Sequence, residues 1–194
     1  MIHPALALLE FSSIATGIEA GDAMVKRAPV ARIQAGTVQP GHYLVMVTGM
    51  VADVEEAVNA GRETGQAALC DLVFLPNVHP EVVAGLAGGR RPVSPEALGI
   101  IETRTVAAAI HAADAGLKGA EVALVQLRLA DGLGGKGLAL FTGTVADVEA
   151  AVEIGTGRAA GQLVRQVVIP QLHPEMIENV ARPGRFGEPF DWAF

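Results

Sequence analysis

One stretch of this chain occurs twice, and the repetition limits the folds open to it. Glu10, Ala15, Ile18, Ala20, Asp22, Ala23, Lys26, Ala28 and Val30 return unchanged 92 positions later, from Glu102 to Val122. Further on the offset becomes 94. Thr48-Gly49 returns as Thr142-Gly143, and the run Val51 to Glu55 as Val145 to Glu149. Pro76, His79, Pro80 and Glu81 come back as Pro170, His173, Pro174 and Glu175. Such a period is the size of a domain and far too long for a solenoid unit. The 194 residues therefore read as a tandem duplication of two small domains.

Composition then narrows the function. A net charge of -7 leaves no basic footprint, which excludes nucleic acid as the expected partner. Cys70 is the single cysteine, so no internal disulfide framework can form, and a reducing compartment suits the chain. Its neighbours predict a buried small hydrophobe. The stretch from Met1 to Glu10 lacks a basic region, so no signal peptide is expected. Ile33 to Ala52, the longest run without Asp, Glu, Lys or Arg, is broken by glutamines, Pro40, a histidine and glycines, and no membrane span is expected. Yet 51% hydrophobic residues and a mean hydropathy of +0.39 are high for two small domains, which have little interior. Part of that apolar surface is expected to meet other subunits.

In chain order, Ala5 to Phe11 reads as a buried strand. Ser12 and Ser13 offer an N-cap to a helix reaching about Arg27, with Ile14, Ile18, Met24 and Val25 as its apolar positions and Pro29 as its stop. Val30 to Thr37 reads as a strand, Gln39 to His42 as a turn, and Tyr43 to Gly49 as a strand. Asp53 to Thr64 is a helix with Val54, Ala57, Val58 and Gly61 on one face. Leu69 to Leu75 is a fourth strand, and Pro80 opens a short helix. This order describes an α+β, α/β sandwich fold of two tandem ferredoxin-like βαββαβ domains, non-permuted. The domains are expected at 1–88 and 98–181, with a linker at 89–97 and a tail at 182–194 whose aromatics predict docking on a surface. The change of offset requires two extra residues between Val122 and Gly135, placed at a hairpin tip where insertions are tolerated.

Few residues suggest chemistry. The run Ala130 to Gly137 resembles a phosphate loop but puts Ala130 where its first glycine belongs and Gly137 where Ser or Thr must hold magnesium. It reads instead as a Gly-rich hairpin tip whose backbone approaches something closely. His79 and His173 share a His-Pro-Glu context that suits a helix cap better than a zinc site, which needs three or four ligands. Asp22 and Asp114 precede Lys26 and Lys118 by four residues, the spacing of a helical ion pair. No Ser-His-Asp, Cys-His or paired-carboxylate arrangement occurs at a useful spacing. No catalytic residue, metal ligand or cofactor is assigned.

Glu10 with Ser13-Ile-Ala-Thr-Gly17 and Asp22-Ala-Met-Val-Lys26, and Glu102-Thr103 with Ala113-Asp-Ala-Gly-Leu-Lys118, resemble bacterial microcompartment shell proteins. The likeness covers residues 5 to 180, and it is to the tandem-domain, trimer-forming class with its PduT-like members. It implies a cytoplasmic protein of a microcompartment shell, with three chains forming a pseudohexameric tile beside hexameric and pentameric shell proteins. It also implies a tile edge at Asp22, Lys26, Arg27, Asp114 and Lys118. The hairpin loops would line a central pore for metabolites: Thr37, Val38, Gln39, Pro40, Gly41 and His42 in one domain, Asp131, Gly132, Leu133, Gly134, Gly135 and Lys136 in the other. PduT-like proteins carry a cysteine before the Pro-Gly of the first loop, where three copies hold an iron–sulfur cluster. This chain has Gln39 there, and an amide does not replace a thiolate, so no cluster is expected. A polar pore favouring anionic or neutral metabolites follows.

Two other readings stay open at this point. Ferredoxin-like trimers also serve as small-molecule sensors that bind effectors between subunits. An enzyme acting on an acidic substrate at Lys136 would need Asp131 or His42 as its acid or base.

Overall fold

The computed structural model describes residues 5–159 and 161–182. Its elements run β1 (Ala5–Phe11), α1 (Ile14–Arg27), β2 (Arg32–Val38), β3 (His42–Gly49), α2 (Val51–Gly65), β4 (Leu69–Leu75) and α3 (Pro80–Leu86). After a connecting stretch come β5 (Ala97–Thr103), α4 (Val106–Gly119), β6 (Ala123–Leu129), β7 (Gly137–Thr142), α5 (Val145–Arg158), β8 (Leu163–Pro170) and α6 (Pro174–Ala181). Each half forms its own antiparallel sheet, in the order β2-β3-β1-β4 and β6-β7-β5-β8. The two orders are equivalent, as the repeat requires.

Strand β1 shows why both domains are needed. All seven of its residues are buried, although strands of an antiparallel sheet often keep one face in water. Ala5, Ala7, Leu9 and Phe11 pack beneath α1 and α2 with Met24, Val54 and Ala57. Leu6 and Leu8 point the other way and join a core built mainly from α4 of the second domain. The second domain, together with α3, thus covers part of the far face of the first sheet.

Local signals set the element ends. Ser13 caps α1 by accepting from the Thr16 amide at 3.3 Å, and Thr105 caps α4 by accepting from Ala108 at 3.3 Å. Such a cap is worth about 1 kcal/mol. Strand β2 begins two residues later than the sequence suggests, because the Val30 amide turns back to the Ala28 carbonyl before the ladder starts. The extra residues of the second half lie at the hairpin tip. Val38 and His42 pair across a loop of residues 39–41, whereas Ala130 bonds back to Lys136 across residues 131–135.

Candidate functional site

The two domains meet along a seam made of polar contacts over an apolar floor. Glu10, a carboxylate in an otherwise apolar strand, is fully buried. Its Oε2 accepts from the Val106 amide at the start of α4 at 2.9 Å, and its Oε1 lies 2.9 Å from His42 Nδ1. Negative charge is favoured at a helix N-terminus, where amides lack intrahelical partners. Thr105 donates its hydroxyl to Asp71 of β4. The His79 amide donates to Asp114 Oδ1 at 2.8 Å, and Lys118 donates to the Asn77 carbonyl and to Asp114. At the sheet edge, Glu81 on α3 accepts from the Leu124 amide of β6 at 2.7 Å.

Positions along this seam have counterparts elsewhere in the repeat that lie open. Ile110 of α4 is fully buried, whereas its equivalent Ile18 on α1 is 54% exposed. Ile14 and Val25 are likewise exposed where Val106 and Leu117 are buried. The apolar positions expected along α1 therefore divide: Met24 enters the core with Ala20, while the other three face outward. Asp22 and Lys26 form an ion pair of 2.5 Å with Asp22 58% exposed, but Asp114 in the matching pair is 5% exposed. Strand β2 is almost bare along its length while β6 is largely buried. At the far end of the chain Met176 is exposed where its equivalent Val82 is fully buried. The molecule has one seam filled and the two halves of a second seam open, one at each end.

The hairpin tips of the two domains touch. The Gln39 amide donates to Asp131 Oδ1 at 3.1 Å, and Gln39 Oε1 accepts from the Gly132 amide at 3.0 Å. A Cβ on Gly135 would lie 2.7 Å from Pro40 Cδ, and its φ of +91° also favours glycine. The close backbone approach expected of the Gly-rich tip is made to the other tip. Thr37, Gln39, Pro40, Gly41, Asp131, Gly132 and Gly134 are exposed there, with Val38 and Leu133 half-buried beside them. Lys136 donates to Glu102 at 2.7 Å, the counterpart of His42 against Glu10. Both basic groups near the tips are therefore already paired, which removes the free cation on which a preference for anions would rest. It also leaves Lys136, Asp131 and His42 in separate contacts, with no shared point where a substrate could react. Gln39 offers a carboxamide engaged with Gly132, a group that does not fit an iron–sulfur cluster.

The remaining expectations fall out unevenly. Arg27 faces Glu63 at 3.4 Å and Glu56 at 3.9 Å within its own domain. His79 caps α3 by accepting from the Glu81 amide at 3.3 Å. His173 occupies the same place before α6 without a side-chain cap bond. No group of three metal-binding side chains occurs among the described residues. Cys70 is exposed, contrary to expectation, because the ladder pairs Phe11 with Leu69 and Glu10 with Asp71 and leaves Cys70 as the extra residue of a bulge. The docking expected of the tail lies outside the described residues beyond Arg182. No helix among the described residues is long and apolar enough to cross a membrane. Burial lowers the pKa of His111 on α4, reinforced by Arg158. Sequence reasoning missed Glu10 as a bond between domains, although a lone carboxylate within an apolar strand is a signal for one.

The BMC domain family matches this chain twice, at residues 5–78 and 97–172. The bacterial microcompartment shell protein PduT of Citrobacter freundii is 40% identical over 174 residues, which span 89% of this chain and 95% of that one. The shell protein EutM of Escherichia coli is 42% identical over 85 residues, covering 43% of this chain and 86% of EutM. A crystal structure of a microcompartment protein from Desulfitobacterium hafniense superposes with a TM-score of 0.77 at 41% identity, covering 91% of this chain and 99% of that one.

Proposed function

This chain belongs to the BMC domain family and is a shell protein of bacterial microcompartments, a structural component and not an enzyme; from that premise we propose that three copies close into a pseudohexameric tile with a central pore. The observation that carries this is the seam with its bare counterparts. Two different, complementary faces at opposite ends of a chain make a heterologous contact, which generates a ring when the rotation closes. In such a ring Ile14, Ile18 and Val25 of one copy would pack on Val167, Ile169 and Met176 of the next. These mirror Val106, Ile110 and Leu117 against Val73, Leu75 and Val82. Burying a side chain of this size is worth about 1.5–3 kcal/mol. Asp22 and Lys26 would then close the outer end of the seam between copies, Lys26 reaching Gln171 as Lys118 reaches Asn77, with Arg27 beside them at the tile edge.

The paired tips give the pore its chemistry. Three copies bring six tips to the axis, alternately Thr37 to His42 and Asp131 to Lys136. With His42 and Lys136 occupied by Glu10 and Glu102, the rim presents the Gln39 amide, backbone groups and Asp131. That rim suits small neutral polar metabolites better than anions. Other shell proteins of hexameric and pentameric form are the partners at the tile edges.

The test is the solution mass with electron microscopy of the concentrated protein. A mass three times the 20.0 kDa of one chain, with hexagonal particles that pack into sheets, is expected. A monomer or dimer that never tiles would overturn the reading.

A further inference from the structure

An open groove on the first domain has a filled twin on the second. The groove lies on the face of the first sheet beside β2, has a volume of about 670 Å³, and is lined by Leu6, Ile33, Met46, Val83 and Leu86 among others. In the second domain Leu6, Met46, Val83 and Leu86 are matched by Leu98, Leu140, Ile177 and Val180, and Val125, an extra residue of β6, lies beside them. There they join a core cluster that also holds Val93. Val93 belongs to the stretch that leaves α3 and crosses to the second domain. Its path is fixed by four contacts. The Arg91 amide donates to the Val125 carbonyl at 3.0 Å. The Arg91 side chain donates to Glu81 at 3.3 Å, and Glu81 in turn accepts from the Leu124 amide. The Ser94 amide donates to Thr142 Oγ1 at 2.8 Å. As a result Val125 is 1% exposed, while Ile33, which lines the open groove, is 43% exposed.

We propose that the segment after α6, residues 183–194 of one copy, fills the groove of the next copy in the ring, as residues 88–96 fill the second domain within one chain. The repeat reaches into this segment. At the same offset of 94, Glu81 returns as Glu175, Arg91 as Arg185 and Pro95 as Pro189. The acid and base that hold the connecting stretch thus have counterparts on α6 and just beyond it. One acceptor has a counterpart as well: Thr48, which lines the groove, stands for Thr142. Phe186 takes the place of Pro92, beside that of Val93, in a segment that also holds Phe190, Trp192 and Phe194. Aromatic side chains each bury about 150–250 Å², which suits them to an open apolar groove. The direction is set by continuity, since the stretch after α3 passes onward to the following domain. The domain following α6 is the first domain of the next copy, so this inference rests on the ring proposed above.

The test uses the full chain with Cys70→Ser, Met46→Cys and Phe186→Cys, oxidised gently after its solution mass is measured. Covalent dimers and trimers on a denaturing gel are expected. A link confined to single chains, or no link at a trimeric mass, overturns the docking and leaves the ring standing. A monomeric mass overturns both. As a second measurement, a chain with Cys70→Ser and Met46→Cys is truncated after Arg182. Its groove thiol is expected to react about tenfold faster than in the full-length form, because a protective segment has gone. Equal rates would show that something other than the tail covers the groove, or that nothing does.

Discussion

Glu10 and Val106 stand on different domains, yet the buried carboxylate of one accepts the backbone amide of the other at 2.9 Å. The same carboxylate holds His42 at the base of the first hairpin. A single side chain therefore ties the seam between domains to the first hairpin loop. Glu10→Ala would leave the α4 amide and the imidazole without their acceptor. Hydrogen bonds to a charged group contribute about 1.5–3 kcal/mol each, so a loss of about 3 kcal/mol in urea unfolding is expected. A loss under about 1 kcal/mol would mean that the contact does not hold the seam.

Ile18 and Ile110 form a matched pair for separating folding from assembly. Ile18→Glu changes an exposed position, so the dilute monomer should lose no more than about 0.5 kcal/mol while the trimer is lost from the mass distribution. Ile110→Glu places a carboxylate in the filled seam, and the chain should not fold. A trimer that survives Ile18→Glu would place the contact between copies elsewhere.

Two glycines of α5 should respond in opposite directions. A Cβ on Gly155 would lie 2.7 Å from Ile101 Cδ1 and 2.8 Å from the Ala112 carbonyl oxygen, where α4 and α5 pack. Gly155→Ala is expected to cost about 1–3 kcal/mol. Gly157 meets nothing within 4 Å, and Gly157→Ala should raise stability by about 0.5 kcal/mol through helix propensity. Thermal melts of the two variants decide this, and two shifts of the same sign would refute the packing account.

Stability should fall on mild acidification, and His111 supplies part of the effect. Burial lowers its pKa below 6.5, with Arg158 and Lys118 reinforcing the shift and Asp114 and Asp71 opposing it. The folded chain therefore keeps the imidazole neutral while the unfolded chain takes up a proton first. The contribution is full above 6.5 and is lost as the pH falls below that value toward the folded-state pKa. Urea midpoints measured across this range should drop less steeply for His111→Gln. Identical slopes would assign the acid sensitivity to other groups.

Charge at the tips should set what crosses the tile. Gln39→Glu adds three carboxylates to the rim of a trimer, so passage of a small anion into assembled shells should slow by roughly tenfold, with a neutral metabolite little changed. Equal slowing of both would indicate blockage by size. No effect on either would place the route away from the tips.

The repeat, the strand order and most helix limits were legible in the sequence, because periodicity and caps act within a few residues. The two-residue insertion could be placed for the same reason, since pairing on each side of the tip fixes its length. Exposure was less legible. Ile18 and Ile110 are the same residue at the same place in the repeat, but one is bare and the other covered, because burial depends on which domain lies alongside. Cys70 was misjudged through its apolar neighbours, although a strand alternates its faces and shifts them at an irregular register. The pairing of Lys136 with Glu102 joins residues far apart in sequence, so the loop alone suggested a free cation.

The unequal tips, residues 39–41 in one domain and 131–135 in the other, also bear on how such a rim can change over generations. When a rim is drawn from six copies of one short gene product, every mutation is imposed on all six positions at once, and few survive that dose. Duplication halves the dose. In the proposed trimer a change in Gln39 would reach only alternate positions, and the other three would remain as they were while selection acts on the first. The aperture can be altered in steps half as large, and its two kinds of lip can be assigned different duties.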